Sequence, residues 1–259
     1  MTDEAHKRAA TLKARETELW RSAEGVGPVA KFGAALRQAT VSVIAEVKRS
    51  SPSKGAINPD LAVKDQVVAY ERGGAAAISI LTEPTRFSGS NDDLTAAGAA
   101  TKLPLLKKDF HVDPVQIVEA KSLGASAALV IVKAVPPTRL RELLDAGRSV
   151  GIDLVIEVRD EKELQLALAF GAEIIGINNR DLETLAIDST TAPRLLPLVP
   201  KDVIAIAESG MKSADDVQRV ADAGADAVLI GSELSAAADP EKALRVFNSV
   251  KRSGDARQG

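Results

Sequence analysis

A charged or amide side chain ends nearly every apolar segment of this 259-residue chain. The side chains concerned are those of Glu46, Lys48, Lys108, Lys133, Glu157, Asn178 and Glu208. Buried strands do not normally finish in ionisable groups, because an unpaired buried charge is unfavourable. The same exception at one end of many strands indicates that these ends meet at a polar site. Ammonium and carboxylate groups gathered in one pocket can give and take protons, which is general acid–base chemistry.

The spacing of these charges predicts which of them face the pocket. Glu46 and Lys48 are two residues apart on a strand, so they share a face. The pair can be a structural ion pair or an ammonium group aimed at a substrate carboxylate. Lys107 and Lys108 must point to opposite faces, and Lys108 is in register with Phe110. We expect Lys107 to be solvated or to face a helix.

Two glycine and serine segments predict a phosphate site. They are Ser209-Gly210 after the seventh strand, and Gly231-Ser232 after the eighth strand, before a short helix predicted near 233–237. Glycine lets backbone N–H groups approach phosphate oxygens, and a helix amino terminus adds partial positive charge. Ser51 and Ser53, after the first strand, can add hydroxyl donors. Each glycine alone is explained by a tight turn, but their joint placement favours phosphate binding.

The elements that must position these side chains form a repeat. A helix ending in Gly-Ala and followed by a strand recurs about every 50 residues, a period typical of repeated supersecondary units. The four instances are Gly74-Ala75, Gly124-Ala125, Gly171-Ala172 and Gly224-Ala225, and the apolar runs between them are 41–47, 104–108, 153–158 and 202–208. Eight strands, each followed by a segment that can be helical, predict an α/β fold: a (β/α)8 TIM barrel, whose active sites lie at the carboxyl face. An open doubly wound sheet is the alternative, but no glycine-rich dinucleotide fingerprint follows the first strand.

The domain organisation follows from this repeat. Residues 1–40 stand outside it and predict an amino-terminal extension of one or two helices, about 3–23 and 28–39. The extension is either a cap over one end of the barrel or a lid over the site. We expect the barrel to span 41–252 and a polar, frayed tail to span 253–259. Helix starts are predicted at Asn58-Pro59 and Asp113-Pro114, and Ser213 with Asp216 predicts a capping box.

Composition excludes several functional classes. The formal net charge is -3 and no long basic run occurs, which argues against a nucleic-acid partner. The chain has no cysteine, so disulfides and thiolate catalysis are excluded. No apolar run approaches the roughly 20 residues of a membrane span and no signal peptide is evident, so we expect a cytoplasmic protein. His6 and His111 have no ligand spacing and are expected to be ordinary loop or surface residues, so we predict no metal.

The stretch IAEVKRSSPSKG, from Ile44 to Gly55, resembles the signature of the indole-3-glycerol-phosphate synthases, the ring-closing enzymes of tryptophan biosynthesis. The likeness continues over essentially the whole chain, in the segments LTE at 81–83, FSGS at 87–90, KDF at 108–110, GINNRDL at 176–182, AESG at 207–210 and LIGS at 229–232. The long first block is highly specific, whereas the short glycine-containing pieces would be weak alone.

The resemblance implies a substrate, 1-(2-carboxyphenylamino)-1-deoxyribulose 5-phosphate, and the products indole-3-glycerol phosphate, carbon dioxide and water. It implies no metal or organic cofactor. We expect a monomer whose partner is this phosphorylated small molecule, with other enzymes of the pathway as candidate protein partners. The alternatives are a barrel like phosphoribosylanthranilate isomerase, which usually relies on a cysteine base, and a non-catalytic phosphate-binding barrel. The intact set of charged residues argues against the second alternative.

The resemblance also implies residue roles. Lys108 resembles the general acid that drives loss of the C2 oxygen, and Glu157 resembles the base or proton partner in the later dehydration. Lys48 would hold the departing carboxylate, with Glu46 orienting it. Further implied site residues are Asn178 and Ser209 among the catalytic group, Glu208 as a substrate-positioning group, Ser51, Gly210, Gly231 and Ser232 at the phosphate, Phe87 and Phe110 at the anthranilate ring, and Arg180 as a binding or loop-closing residue.

Overall fold

The computed structural model describes residues 2–252 and Arg257, and within them eight parallel strands close into a barrel. The strands are β1 (Ser42–Val47), β2 (Ala77–Leu81), β3 (Leu105–Lys108), β4 (Ala127–Ile131), β5 (Asp153–Val158), β6 (Ile174–Asn178), β7 (Ile204–Glu208) and β8 (Ala227–Ile230). Each strand pairs with its neighbours in sequence, and β8 pairs with β1. The (β/α)8 barrel predicted from the repeat is confirmed.

Helices precede the barrel and connect its strands. They are α1 (Thr2–Lys13), α2 (Glu16–Gly25), α3 (Phe32–Ala35), α4 (Val63–Gly73), α5 (Pro84–Phe87), α6 (Asn91–Ala100), α7 (Pro114–Ser122), α8 (Pro137–Val150), α9 (Glu161–Ala169), α10 (Thr191–Leu195), α11 (Ala214–Asp222), α12 (Ser232–Ser235) and α13 (Pro240–Phe247). Short 3-10 turns occur at Val132–Ala134 and Leu196–Leu198. Within the described part of the chain, none of these helices has the length and apolar character needed to cross a bilayer.

Side chains on the two faces of the barrel strands pack into two different apolar clusters. One apolar cluster lies between strands and helices, and includes Val43, Ala45, Ile78 and Ile80. The other fills the barrel interior and includes Ile44, Leu106, Val155, Ile174, Ile206 and Leu229. Alternate residues of a strand point to opposite faces. The residue two places beyond Ile44, Leu106, Val155 or Ile206 is therefore an interior residue at the carboxyl end, and each of these four is charged.

Capping residues set several helix boundaries in the barrel, and one helix start predicted there needs correction. Gly74 and Gly151 adopt left-handed φ angles of 91° and 71° at the ends of α4 and α8, which favours glycine. Asp113 begins α7, as predicted, and it also forms a capping box with Gln116. The helix start at Asn58-Pro59 was wrong, because α4 begins only at Val63. The Asn58 side chain instead donates to the Ser235 carbonyl at 3.1 Å.

The extension runs from one end of the barrel to the other. The predicted helix 3–23 is broken, since α1 ends at Lys13 and α2 begins at Glu16, and the predicted helix 28–39 shrinks to the single turn of α3. Phe32 of α3 and the adjacent Leu36 are fully buried in the interior cluster. The Gly33 N–H donates to Asp153 at 2.9 Å, at the amino-terminal end of β5. This segment therefore closes the end of the barrel opposite the carboxyl face.

The predicted polar tail falls mostly on residues 253–256, 258 and 259, which lie outside the described residues. Arg257 is described, and its guanidinium donates to both Asp226 carboxylate oxygens at 2.7 Å. Asp226 also accepts from the Ala205 N–H at 2.7 Å. This contact ties the end of the chain to the amino-terminal ends of β7 and β8.

Candidate active site

Lys108 stands at the centre of a charged cluster at the carboxyl face. Its Nζ lies 3.3 Å from Glu208 Oε2, 3.8 Å from Glu46 Oε2 and 4.0 Å from Glu157 Oε2. Lys48 Nζ lies 3.2 Å from Glu46 Oε1. These residues come from strands that are far apart in sequence, and barrel closure brings them together. Two ammonium groups thus face three buried carboxylates.

Burial and charge shift the pKa values of Glu208, Lys108 and Glu46 in this cluster. Burial raises the pKa of Glu208 to about 7, with Lys108 opposing the change and the Glu157 and Glu46 carboxylates adding to it. Burial alone would lower the pKa of the Lys108 ammonium, but attraction to Glu208, Glu46 and Glu157 outweighs it and raises that pKa. Burial would raise the pKa of Glu46, but Lys48 and Lys108 outweigh it and hold that pKa below its usual range. Lys108 is therefore a charged acid, and Glu208 exchanges its proton near neutral pH.

Two glycines make room for the carboxylates. A Cβ atom on Gly231 would overlap Glu46 Oε1, and a Cβ atom on Gly176 would overlap Glu208 Oε1. Gly231 was expected only to let phosphate approach the backbone. Its lack of a side chain also accommodates Glu46, so this residue supports the charged cluster as well as lining the predicted phosphate region. Gly176 was not anticipated as a site residue.

Two cavities at the carboxyl face share Lys48, Lys108, Arg180 and Ser209 in their walls. The first, here called the apolar cavity, is also lined by Phe87, Phe110, Leu129, Ile131 and Leu182. The second, here called the glycine–serine cavity, is also lined by Gly210, Gly231, Ser232, Lys54 and Glu233. Lys48 Nζ lies 5.6 Å from the centroid of the Phe87 ring, a cation–π distance. Lys48 and Lys108 thus lie between an apolar cavity and a cavity whose backbone N–H, hydroxyl and ammonium groups can donate hydrogen bonds to an anion.

A short hairpin after β1 forms part of both walls. Its arms, Ser50–Ser51 and Gly55–Ala56, pair antiparallel. Ser51 and Ser53 line the apolar cavity, whereas Lys54 lines the glycine–serine cavity. Lys54 Nζ pairs with Glu233 Oε1 of α12 at 3.0 Å. The structure therefore places Ser51 beside the apolar compartment and brings Lys54, which sequence reasoning had not selected, to the predicted phosphate region.

Arg49, which begins this hairpin loop, is fixed by two charge-assisted bonds. Its guanidinium donates to Asp93 at 2.7 and 2.9 Å. The bond geometry is bidentate, which favours a defined orientation. The loop is thereby anchored to α6 beside the site.

Asn178 and Arg180 define the edge of the site after β6. The Arg180 N–H donates to Asn178 Oδ1 at 2.9 Å, and the Arg180 guanidinium donates to the Leu185 carbonyl at 2.8 Å. The neighbouring Asn179, which was not anticipated, donates to the Ser209 carbonyl at 2.9 Å. Ser209 has a positive φ of 65°, so this bond helps hold the Ser209-Gly210 turn in a sparsely populated conformation.

A second polar network lies on the opposite face of β3. Lys107 is buried, 2% exposed, and its Nζ lies 3.0 Å from Glu119 Oε2 and 3.8 Å from Asp109 Oδ2. The Arg8 guanidinium of α1 donates to Asp109 at 2.5 Å. The expectation that Lys107 points away from Lys108 towards a helix holds, but it is not solvated. This network joins the extension to the strand that carries Lys108.

Two further residues differ from expectation, the first only in part. His111 lies in a loop, one of the two alternatives expected for it, but it is buried rather than at the surface; its Nδ1 lies 2.6 Å from the Leu129 carbonyl oxygen. Burial and then the charge of Lys107 lower the pKa of His111 to about 4. Lys133 does not join the charged cluster, because it lies in a 3-10 turn beyond β4 and pairs with the exposed Glu183 at 2.8 Å. Among residues 2–252 and Arg257, no group of three or more histidine, aspartate and glutamate side chains is arranged to hold a metal ion.

Comparison with known proteins gives a consistent result. The sequence model of the family described as "Indole-3-glycerol phosphate synthase" matches residues 2–247. The chain is 44% identical over 239 residues to "Indole-3-glycerol phosphate synthase 2" of Streptomyces coelicolor, covering 92% of each chain. It is 50% identical over 217 residues to the indole-3-glycerol phosphate synthase of a Nocardioides species, covering 83% of each chain.

Solved structures support the fold alone. A 3-hexulose-6-phosphate synthase from Salmonella typhimurium superposes with a TM-score of 0.64 at 15% identity, over 80% of this chain and 97% of that one. A thiamine phosphate pyrophosphorylase from Pyrococcus furiosus gives a TM-score of 0.60 at 15% identity, over 82% and 95%.

Proposed function

The chain belongs to the indole-3-glycerol phosphate synthase family and is a carboxy-lyase of tryptophan biosynthesis, and we propose how its residues carry out the reaction. The observation that carries the proposal is the position of Lys108, an ammonium group buried among three carboxylates between two chemically different cavities. The substrate, 1-(2-carboxyphenylamino)-1-deoxyribulose 5-phosphate, has an aromatic ring at one end and a phosphate at the other.

We assign the two ends of the substrate to the two cavities. The anthranilate ring fits the apolar cavity, where Phe87 and Phe110 offer aromatic contacts. The phosphate fits the glycine–serine cavity, where Gly210, Gly231 and Ser232 lie together. Holding both ends draws the flexible sugar chain past Lys108. Such positioning can lower a barrier by several kcal/mol because the reacting carbons no longer have to find each other.

Lys108 is the proposed general acid for ring closure. As the ring carbon bearing the carboxylate attacks the C2 carbonyl carbon, the carbonyl oxygen gains negative charge and takes a proton from the ammonium group. Lys48, which Glu46 holds at 3.2 Å, neutralises the substrate carboxylate until it leaves as carbon dioxide. Its cation–π contact with Phe87 keeps this ammonium beside the apolar cavity.

Glu157 is the proposed base of the dehydration. It lines the apolar cavity, and its Oε2 lies 4.0 Å from Lys108 Nζ, so acid and base approach the substrate from different strands. It accepts the proton that the methylene carbon loses when the hydroxyl leaves and the indole double bond forms. Asn178, which lines the apolar cavity, and Ser209, which lines both cavities, are proposed to orient the sugar hydroxyl groups.

A fluorescence assay tests the function. The protein is incubated with the carboxyphenylamino-deoxyribulose phosphate, and the indole product is followed by its fluorescence while released carbon dioxide is measured separately. We expect both products in equal amounts. Absence of both in a folded sample would refute the activity. Rearrangement of phosphoribosylanthranilate by the same sample would favour the isomerase alternative. A monomeric state and a cytoplasmic location stay predictions from the sequence.

A further inference from the structure

The proposed reaction delivers two protons to the same oxygen atom. The C2 carbonyl oxygen takes the first proton when the carbon–carbon bond forms. The resulting hydroxyl takes the second when it leaves as water. One proton comes back from the methylene carbon. An enzyme with a single acid at this oxygen must therefore regain a proton during each turnover.

The group closest to Lys108 in the charged cluster is Glu208. Its Oε2 lies 3.3 Å from Lys108 Nζ, closer than the carboxylates of Glu46 and Glu157 at 3.8 and 4.0 Å. Glu46 is also bound by Lys48 and by the Ser79 hydroxyl, which donates to it at 3.4 Å. A proton on Glu208 could therefore reach the Lys108 nitrogen directly, without a water molecule between them.

The surroundings of Glu208 favour the protonated form of its carboxyl group. The residue is 1% exposed, and apart from the Lys108 ammonium group 3.3 Å from Oε2, neither carboxylate oxygen has a polar partner among the described residues. The charged groups facing it are Lys108 from β3, Glu157 from β5 and Glu46 from β1, and it lies beside Asn178 of β6 in register. Burial makes the ionised carboxylate unfavourable, and two neighbouring carboxylates add to the cost of ionisation; together they outweigh the attraction of Lys108 and raise the pKa of Glu208. Gly176 leaves space for the Glu208 side chain, but it has no side chain of its own that could donate a hydrogen bond.

We propose that Glu208 stores a proton that recharges Lys108 within one turnover. The inference rests on the proposed function. Lys108 gives its proton to the carbonyl oxygen and becomes a neutral amine. The Glu208 carboxyl group then protonates this amine and becomes a carboxylate. The recharged ammonium protonates the hydroxyl, which leaves as water, while Glu157 takes the methylene proton.

The proton balance of this cycle closes. After dehydration, Glu157 returns its proton to Lys108, and Glu208 takes one proton from solvent. The enzyme is then in its starting state, with one proton consumed in each turnover. The reaction requires this same number, because an anionic carboxylate of the substrate is converted into neutral carbon dioxide while water leaves.

The Glu208→Gln variant separates the two proton deliveries, because glutamine keeps the side-chain volume but has no acidic proton. In a single turnover with excess enzyme, we expect carbon dioxide release to persist. Indole formation should fall by about 10²-fold or more, the range of lost acid–base catalysis. A ring-closed, hydroxylated compound should accumulate and be found by mass spectrometry after an alkaline quench. Indole appearing as fast as carbon dioxide in this variant would overturn the proposal, as would equal loss of both products.

An infrared spectrum of the resting enzyme tests the stored proton independently of activity. We expect a carbonyl stretch from a buried protonated carboxyl group at pH 6. It should be lost in Glu208→Gln, and be weakened but still present in the control Glu157→Gln, which removes one of the two carboxylates that oppose ionisation of Glu208. Absence of such a band in the parent, or its survival in Glu208→Gln, would overturn the proposal. A parent enzyme that forms neither product would instead refute the proposed function.

Discussion

Replacing each of the two adjacent lysines of β3 by methionine should separate catalysis from stability. Lys108→Met removes the ammonium group from between three carboxylates but keeps much of the side-chain volume. We expect kcat to fall by about 10²- to 10⁴-fold, as for lost acid–base catalysis. KM should change less, because the cavity residues that hold the ring and the phosphate are untouched.

Lys107→Met should instead leave the reaction intact and weaken the fold. Lys107 Nζ lies 3.0 Å from Glu119 and 3.8 Å from Asp109 in a site that is 2% exposed. Breaking a buried pair by removing one partner typically costs about 3–5 kcal/mol, because the other charge stays buried. We expect the lower end of that range, since Asp109 keeps its bond to Arg8. Typical stabilities are about 5–15 kcal/mol, so the loss is a large fraction of the total.

The two variants are compared by indole fluorescence and by urea denaturation on the same samples. Activity is expressed per folded molecule, and the urea midpoint reports stability. Adding Glu119→Gln to Lys107→Met should recover part of the lost stability, because it removes the uncompensated charge. Equal losses of kcat in the two single variants, both folded, would show that the assignment of Lys108 to the interior and Lys107 to the exterior is wrong. A fully active Lys108→Met would remove the proposed acid.

Three further changes test other parts of the site. Gly231→Ala should lower kcat and not only raise KM, since its methyl group would displace Glu46; steady-state kinetics showing a change in KM alone would contradict this. Lys54→Met should raise KM by about tenfold, equivalent to about 1.4 kcal/mol of lost phosphate binding, and weaken inhibition by inorganic phosphate, with kcat kept. The parent should lose up to about 3 kcal/mol of stability between pH 6.5 and 4 relative to His111→Asn. The reason is that buried His111 stays neutral in the folded protein, while the same histidine in the unfolded chain takes up a proton below pH 6.5. Urea midpoints of the parent and of His111→Asn, measured across this pH range, would change in parallel if the reasoning is wrong.

The charged cluster could be predicted from the sequence because barrel strands obey two simple rules. Alternate residues share a face, and the carboxyl ends of all strands meet at one end of the barrel. These rules predict from the sequence alone that Glu46, Lys108, Glu157 and Glu208 lie together. They failed for Lys133 because β4 ends at Ile131 and the chain then turns. A shift of one or two residues in the position where a strand ends therefore decides whether such a side chain faces the site.

The features that the sequence could not show depend on contacts between distant segments. The clearance that Gly176 and Gly231 provide for carboxylates from other strands is visible only in three dimensions. The burial of His111 was not predicted, although the sequence contains a usable signal for it. Lys107, Asp109 and His111 continue the alternation past the end of β3 on the face opposite Lys108, and this pattern could have predicted a buried polar network.

The extension illustrates why a choice between cap and lid is too simple for this chain. Phe32 and Leu36 fill the end of the barrel away from the site, which is the contact expected of a cap. Arg8 binds Asp109, the residue that follows Lys108, at the carboxyl face. A segment with both contacts couples barrel stability to the orientation of the strand that carries the proposed acid. We therefore infer that the extension stabilises the charged cluster through its contact with Asp109, on the face of β3 opposite Lys108, rather than by covering the substrate.

The charged cluster itself is an unfavourable arrangement that the rest of the barrel must stabilise. Lys48 and Ser79 satisfy Glu46, and the attraction of three carboxylates keeps Lys108 charged despite its burial. Glu208 is the exception, since among the described residues its polar contact is with Lys108 alone, and it shares that ammonium group with two other carboxylates. Local violations of the rules for buried polar groups are expected at functional sites. Burial raises the pKa of the Glu208 carboxyl group to about 7, so that it can carry a proton at and below neutral pH. Its Oε2 lies 3.3 Å from Lys108 Nζ, and a proton stored there would be available when the lysine has given up its own.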